Sequence, residues 1–332
     1  MEVCGTHTVS IFQSGLRSLL PDNIIHVSGP GCPVCVTDQS GVALFLQAAR
    51  MENVIIATFG DLVRVPGTNG DSLKKAAAEG AHIEVIYSPL DALELARKNP
   101  DKEIIFPGIG FETTAPLVAA GIMQAARENL SNFSVISLHK LVPPALKMIL
   151  GQEGDNIDAF LLPGHVATIT GLSPFSFIPS KYSRPAVVGG FEPVDILLAL
   201  LEMAESFMAG QPRLANAYKR AVAENGNPRA RAIMEEVFEP ADSDWRGLGS
   251  IPEGGLSICD KYARFDALRK FGLYAENARP IPGCCCGSVL MGRISPAECP
   301  LFGRACTPLN PVGPCMVSTE GSCAAHYKYG VN

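Results

Sequence analysis

Between residues 24 and 190 the chain alternates short β-branched runs with amphipathic, Ala/Leu-rich segments, and this alternation limits the possible folds more than any other feature. The runs NVIIATF, EIIF, SVISL, AFLL and PAVVG are almost continuously apolar. A strand with one face in water would alternate polar and apolar positions, so runs like these belong to parallel sheets covered by helices on both faces. Adding NIIHVS and IEVIYS, the expectation is a doubly wound α/β core of parallel strands. A break at residues 95–103 (ARKNPDKEI) separates two comparable blocks. They are expected to form two parallel-sheet domains, residues 1–100 and 101–195, facing a cleft, with one large sheet as the alternative.

After residue 193 the pattern changes. VDILLALLEMAESFMAG and RLANAYKRAVAENGNPRARAIMEEVF carry apolar residues three and four apart and are expected to be helices. From Ala241 the chain loses periodicity and gains Gly, Pro and Cys, and LGSIPEGGLSI reads as a connecting loop. Residues 196–332 are therefore expected to form a helical connector and a loop-rich lobe held together by metal.

Each expected strand is followed by a Gly/Pro-rich loop bearing a reactive residue, and ligands of open parallel sheets bind at the carboxyl ends of strands. Those loops carry Cys32, Cys35, Asp61, Glu112, Thr113, His139, His165 and Glu192, which are expected to share one cleft or two facing ones. Glu112 and Glu192 lie in matching Gly-Phe-Glu triplets. Both also suit plain helix N-terminal acids, Glu192 more so.

At 332 residues, 47% hydrophobic and 18% charged with net charge −6, the chain has ample core-forming material. The acidic balance, with no Lys/Arg cluster interleaved with aromatics, argues against nucleic acid. Even the most apolar helix is broken by Glu202 and Glu205, which argues against a membrane span. The amino terminus MEVCGTHTVS has no basic segment followed by an apolar core, so a cytoplasmic, reducing location is expected. There, dense thiols point to a metal or redox site rather than to structural disulfides.

Seven of the eleven cysteines occupy one C-terminal window: Cys284, Cys285, Cys286, Cys299, Cys306, Cys315 and Cys323. The paired C-x-x-C hooks of structural zinc sites and the short ferredoxin run are both missing. Single cysteines on separate loops can still hold a four-iron cluster, which needs four thiolates, and the surplus suggests a neighbouring dithiol. Cys285 is the obvious spare, and it reads more readily as a small packed side chain than as a functional thiol. Far upstream, Cys32-Pro-Val-Cys35 opens a helix, which favours a thiolate. Cys4 sits in CGTHT, where Thr6, His7 and Thr8 could orient a ligand. GPGCPVC and GTNGDS lack the Lys-Ser/Thr of a phosphate loop, so no tight ATP site is expected.

MEVCGTHT, SGPGCPVCVT, FPGIGFETTAP, LPGHVATITG, GGFEP and CGSVLMG…CPLFGRACTP…GPCMVSTEGSCAAHY together resemble the HypD family of hydrogenase maturation factors over essentially the whole chain. The resemblance implies a scaffold that, with a HypC-type chaperone, holds iron while two cyanides and one carbon monoxide are attached. The product is destined for the nickel-iron hydrogenase large subunit, and a HypE-type protein is the implied cyanide donor. Cys4 matches the cysteine implicated in holding iron, and Cys32 and Cys35 match the family's C-x-x-C. His7 and Glu112 are carried as further site candidates. The family's C-terminal lobe resembles the cluster region of ferredoxin:thioredoxin reductase. It implies a 4Fe-4S cluster on Cys284, Cys299, Cys306 and Cys323, with Cys286 and Cys315 as a redox pair and an exchange of Cys315 and Cys323 as the alternative. Two departures stand out: the family usually has a segment before CGTHT, whereas this chain starts three residues ahead of Cys4, and it reads CCC where C-x-C is usual. The first is expected to weaken first-domain packing or chaperone docking. The rival reading is an iron-sulfur-dependent thiol/disulfide oxidoreductase, and the plainest one a cluster that only stabilises its lobe.

Overall fold

The computed structural model describes residues 1–152, 156–275 and 281–330. Helices α1 (Gly5–Gln13), α2 (Pro33–Val36) and α3 (Gln39–Ala49) lead into β1 (Val54–Thr58). Alternation follows: α4 (Leu73–Ala78), β2 (His82–Val85), α5 (Pro89–Lys98), β3 (Glu103–Gly108), α6 (Ala115–Arg127), β4 (Phe133–Ser137) and α7 (Val142–Leu150). A second series comprises β5 (Phe160–Pro163), α8 (Gly164–Thr170), α9 (Phe177–Tyr182), β6 (Ala186–Gly189), α10 (Pro193–Met208) and β7 (Leu214–Asn216). Then come α11 (Pro228–Val237), the hairpin β8 (Phe238–Trp245) and β9 (Gly249–Ile258), and the short helices α12 (Ala267–Phe271), α13 (Cys286–Leu290), α14 (Pro314–Val317) and α15 (Ser322–Tyr329).

The first sheet has the order β2-β1-β3-β4 and the second β5-β6-β7, and every pair within them is parallel. Side chains of successive strand residues point to opposite faces, so the runs supply two cores at once. Ile55, Ile104, Phe106 and Phe133 pack under α5 and α6, while Ile56, Ile105 and Ile136 join the core around α3 and α7. Each such fully buried side chain contributes about 1.5–3 kcal/mol. Helix starts are locally encoded: Ser88 and Asp91 form a capping box on α5, and Asp38 caps α3 through the N–H groups of Ser40 and Gly41.

The mixed α/β class holds, and several local expectations change. The first sheet runs on through β4, because β3 hydrogen-bonds to β1 and β4 to β3, and the second sheet begins at β5. NIIHVS is not a strand: only Ser28 makes a bridge, to Glu2, and Ile25 is 81% exposed. Of IEVIYS only Ile83, Glu84 and Val85 join a strand, the edge strand β2, and they are half-exposed or exposed rather than buried. The expected helix from Arg213 contains β7, and helix resumes only at Pro228, because a residue before proline is driven out of the helical region and Asn227 serves as N-cap. LGSIPEGGLSI is largely β9, not a loop. It pairs antiparallel with β8 and docks through Leu256 N–H on His139 O (3.2 Å) and a Lys140–Gly255 bridge. Among the described residues no helix is long and apolar enough to cross a membrane.

Candidate metal and thiol centre

Met1–Val3 runs alongside β5: Leu161 N–H donates to Met1 O (2.9 Å) and Val3 N–H to Leu161 O (3.3 Å). This extension of the second sheet delivers Cys4 to the N-cap of α1, near the carboxyl ends of β5 and β6. The buried Glu2 carboxylate accepts from Cys4 N–H (2.9 Å) and Thr8 Oγ1 (2.6 Å), and burial pushes its pKa up to about 7. Burial also pushes the Cys4 thiol up to about 12; the Glu320 and Glu2 charges add to the rise, while the backbone N–H groups of His7 and Thr6 oppose it. Cys4 is therefore a thiol that a soft cation would have to deprotonate, at a helix N-terminus arranged to receive the resulting anion.

His7 is fully buried. Its Nε2 lies 2.8 Å from Gly190 O, and since a carbonyl only accepts, Nε2 carries the proton. Nδ1 is then a buried acceptor with no partner among the described residues, and burial holds the imidazole neutral with a pKa of about 4. Its ring lies 4.7 Å from Phe191, which stacks on His165 at 3.9 Å. Glu320 accepts from Thr6 Oγ1 (2.8 Å) and brings the C-terminal lobe onto α1. A cleft of ≈1020 Å³ opens here, lined by Thr6, Arg64, Phe191, Met316 and Glu320 among others.

The C-x-x-C loop is pressed against Cys4. A Cβ at Gly31 would lie 2.2 Å from the Cys4 nitrogen, and Gly5 N–H donates to Gly31 O (2.8 Å), so only glycine permits this approach. Cys32 caps the four-residue α2 and forms a disulfide with Cys35 across a Cα–Cα distance of 5.2 Å. Helix α2 also packs on α13 and α14, which carry Cys286 and Cys315, within one shared core.

In the C-terminal lobe, Cys284, Cys286, Cys299, Cys306, Cys315 and Cys323 line one narrow cavity of ≈20 Å³ together with Leu301 and Phe302. The Sγ atoms of Cys286 and Cys315 lie 2.6 Å apart. S–H···S contacts from Cys284 and Cys315 hold Cys286 well below the ordinary thiol value, with the Arg246 charge contributing, and Cys315 is correspondingly raised. Cys285 lies outside the cavity, half-buried. Among the described residues no three His, Cys, Asp or Glu side chains converge on a single ion. A four-iron cluster does not need that convergence, since each thiolate binds a different iron, and six soft thiols set among apolar side chains suit one in their chemistry.

The remaining candidates do not gather here. Glu112 is buried, its Oε1 accepting from Val142 N–H (2.9 Å) at the start of α7 and its Oε2 without a partner among the described residues; burial raises it to about 7. His139 is buried beneath the hairpin, 5.2 Å from the Phe238 ring. Asp61, Thr113 and Glu192 are exposed, and Glu192 with Asp195 makes the capping box of α10, the plain helix-end role. Sequence reasoning passed over Glu320, although STEGSC contains it, and Arg246. The Arg246 guanidinium donates to Cys35 O (3.1 Å) and Thr37 O (2.6 Å), reaching from the hairpin to the C-x-x-C helix.

A family model described as "HypD: Hydrogenase formation hypA family" matches residues 1–330. The chain belongs to the HypD family. It is 46% identical to the hydrogenase maturation factor HypD of Rhodobacter capsulatus over 99% of this chain and 89% of that protein. Against the HypD of Azotobacter vinelandii the identity is 44%, with the same coverage. Against that of Escherichia coli it is 43%, over 99% of this chain and 88% of the relative. The geometry above is thus that of a HypD-family protein, with three sets of cysteines from opposite ends of the sequence in one region.

Proposed function

We propose that this hydrogenase maturation factor is a scaffold on which the iron of the nickel-iron hydrogenase centre receives its diatomic ligands. Cys4, with a thiolate from a HypC-type chaperone seated in the adjoining cleft, holds the iron as cargo. A HypE-type protein supplies cyanide. The observation that carries this reading is the juxtaposition of buried Cys4 with the Cys32–Cys35 loop and, across α2, with the thiol-lined cavity. A lone buried thiol beside backbone N–H donors suits a soft metal better than disulfide turnover, which needs accessible paired sulfurs.

Roles follow from the chemistry of each group. Cys4 exchanges its proton for iron, and Glu2 and Thr8 fix the backbone that presents it. His7 keeps a neutral ring close by, and the Nδ1 lone pair can accept a proton. Cys284, Cys299, Cys306 and Cys323 would hold a 4Fe-4S cluster, which supplies single electrons when bound. Cys286 and Cys315 serve as the dithiol that faces α2. Infrared spectroscopy of the chain purified anaerobically with a HypC-type partner tests the reading. Cyanide and carbon monoxide stretches that vanish in Cys4→Ala support it. Stretches that persist in Cys4→Ala refute the iron-holding role.

The rival, a thiol/disulfide oxidoreductase, draws on one observation, the paired Cys32 and Cys35 beside a thiol-rich lobe. It predicts turnover of an external disulfide by the Cys4→Ala variant at the unmodified rate. The scaffold predicts negligible turnover in both.

A further inference from the structure

The tip of the β8–β9 hairpin stands between the C-x-x-C helix and Cys286. On one side Arg246 N–H donates to Val36 O (2.8 Å), Nε to Cys35 O and Thr37 O (both 3.1 Å), and Nη2 to Thr37 O (2.6 Å) and Gln39 Oε1 (2.9 Å). On the other side Gly247, at φ +83°, approaches Gly287 so closely that a Cβ would lie 2.3 Å from the Gly287 Cα. Gly287 directly follows Cys286. Behind the tip, the buried Trp245 donates its indole N–H to Gly254 O (2.9 Å) and stacks on Phe111, so the support is rigid.

A four-residue helix cannot hold its own orientation, and its terminal carbonyls have no helical partner. Arg246 supplies that partner with a fixed fork of donors, which a lysine lacks. We propose that Arg246 is a positioning residue that aligns Cys32–Cys35 with the Cys286/Cys315 pair for thiol–disulfide exchange. The proposal rests on the reading that these two pairs communicate. In the exchange, a sulfur of the Cys286/Cys315 dithiol bonds to a sulfur of Cys32–Cys35 as that bond breaks, and the departing thiolate takes up a proton. The second thiol then closes the Cys286–Cys315 disulfide and releases the remaining sulfur. Two electrons and two protons pass from dithiol to disulfide. Arg246 stays charged and takes no part in the proton inventory.

The test uses the full chain carrying its cluster, in a Cys35→Ser background that leaves Cys32 free to be trapped. Under a mild diazene oxidant, mass spectrometry measures the rate of the mixed disulfide between Cys32 and Cys286 or Cys315. Adding Arg246→Gln is expected to slow trapping about tenfold or more, since small misplacement of reacting atoms is costly. Arg246→Lys and Gln39→Ala, each removing only part of the network, are expected to slow it about threefold. Cluster absorption and the melting temperature are expected to stay unchanged in both partial variants. Unchanged trapping in Arg246→Gln overturns the role of Arg246 alone. No trapping in the Cys35→Ser parent overturns the communication itself, and Arg246 with it. Slower trapping accompanied by loss of cluster absorption in every variant makes Arg246 a general fold element and also overturns the proposal. Should Arg246→Gln fail to fold, Arg246→Lys and Gln39→Ala decide the matter.

Discussion

Cys4 and the six cavity thiols occupy one region of the molecule but are held in contrasting ways. Cys4 stands on the α/β framework: it follows a segment hydrogen-bonded to β5, and its backbone is clamped by Glu2 and Gly31. The cavity thiols sit on loops and on helices of four to eight residues, too short to persist unaided. A framework can hold one buried thiol in place without its metal. A lobe of this kind takes much of its order from whatever its thiols bind.

The sharpest way to break this contrast is to remove a proposed ligand. Cys299→Ala is expected to abolish cluster absorption and to strip hydrogen-exchange protection from residues 281–330, leaving β1, β3 and β4 protected. Retained protection in the lobe would show that its packing stands alone. Next in size, Cys4→Ala is expected to cut hydrogenase maturation at least about 100-fold with cluster absorption intact, checked by activity assay and visible spectroscopy of the same preparation. Cluster loss in that variant would erase the distinction between the two regions.

A pH measurement sharpens the framework side. Burial raises the folded-state pKa of Glu112 from 4.5 to about 7, so its contribution favours folding below the unfolded value and is lost as pH rises through the folded one. Glu112→Gln is therefore expected to be near neutral at pH 4 and stabilising by about 3 kcal/mol at pH 8, read from denaturant unfolding at both values. Equal effects at the two pH values would contradict this. The smallest effect is expected from Cys285→Ser, whose thiol lies outside the cavity: within about 0.5 kcal/mol of the parent and with unaltered cluster absorption. A lost cluster there would make Cys285 a ligand.

The strands most legible in sequence were those buried on both faces, such as VIIAT and AVVG, because burial removes the polar alternation that blurs a strand's outline. NIIHVS looked similar and failed, since its isoleucines face solvent and the edge beside β5 is taken by Met1–Val3. The hairpin was hidden for the opposite reason. Its glycines and prolines read as loop, and its pairing is stabilised by contacts with His139 and Lys140, about a hundred residues earlier. The thiols were found individually from composition and motif, whereas Arg246 gave no local signal. An arginine in DWRGLG becomes meaningful only when its acceptors, the carbonyls of Cys35 and Thr37, are brought beside it.

By itself the sequence determined the α/β class, the placement of reactive residues just after strands and a thiol count beyond one cluster's needs, because hydrophobic period and residue chemistry are properties of short segments. Only the tertiary structure decided which of those residues meet. Cys4, Cys32–Cys35 and the cavity thiols converge, while Glu112 and His139 turn inward and Asp61 and Glu192 face solvent. The physical reason is that convergence depends on hydrogen bonds spanning the chain, such as Val3 N–H to Leu161 O at 3.3 Å and Thr6 to Glu320 at 2.8 Å, and no local pattern encodes them.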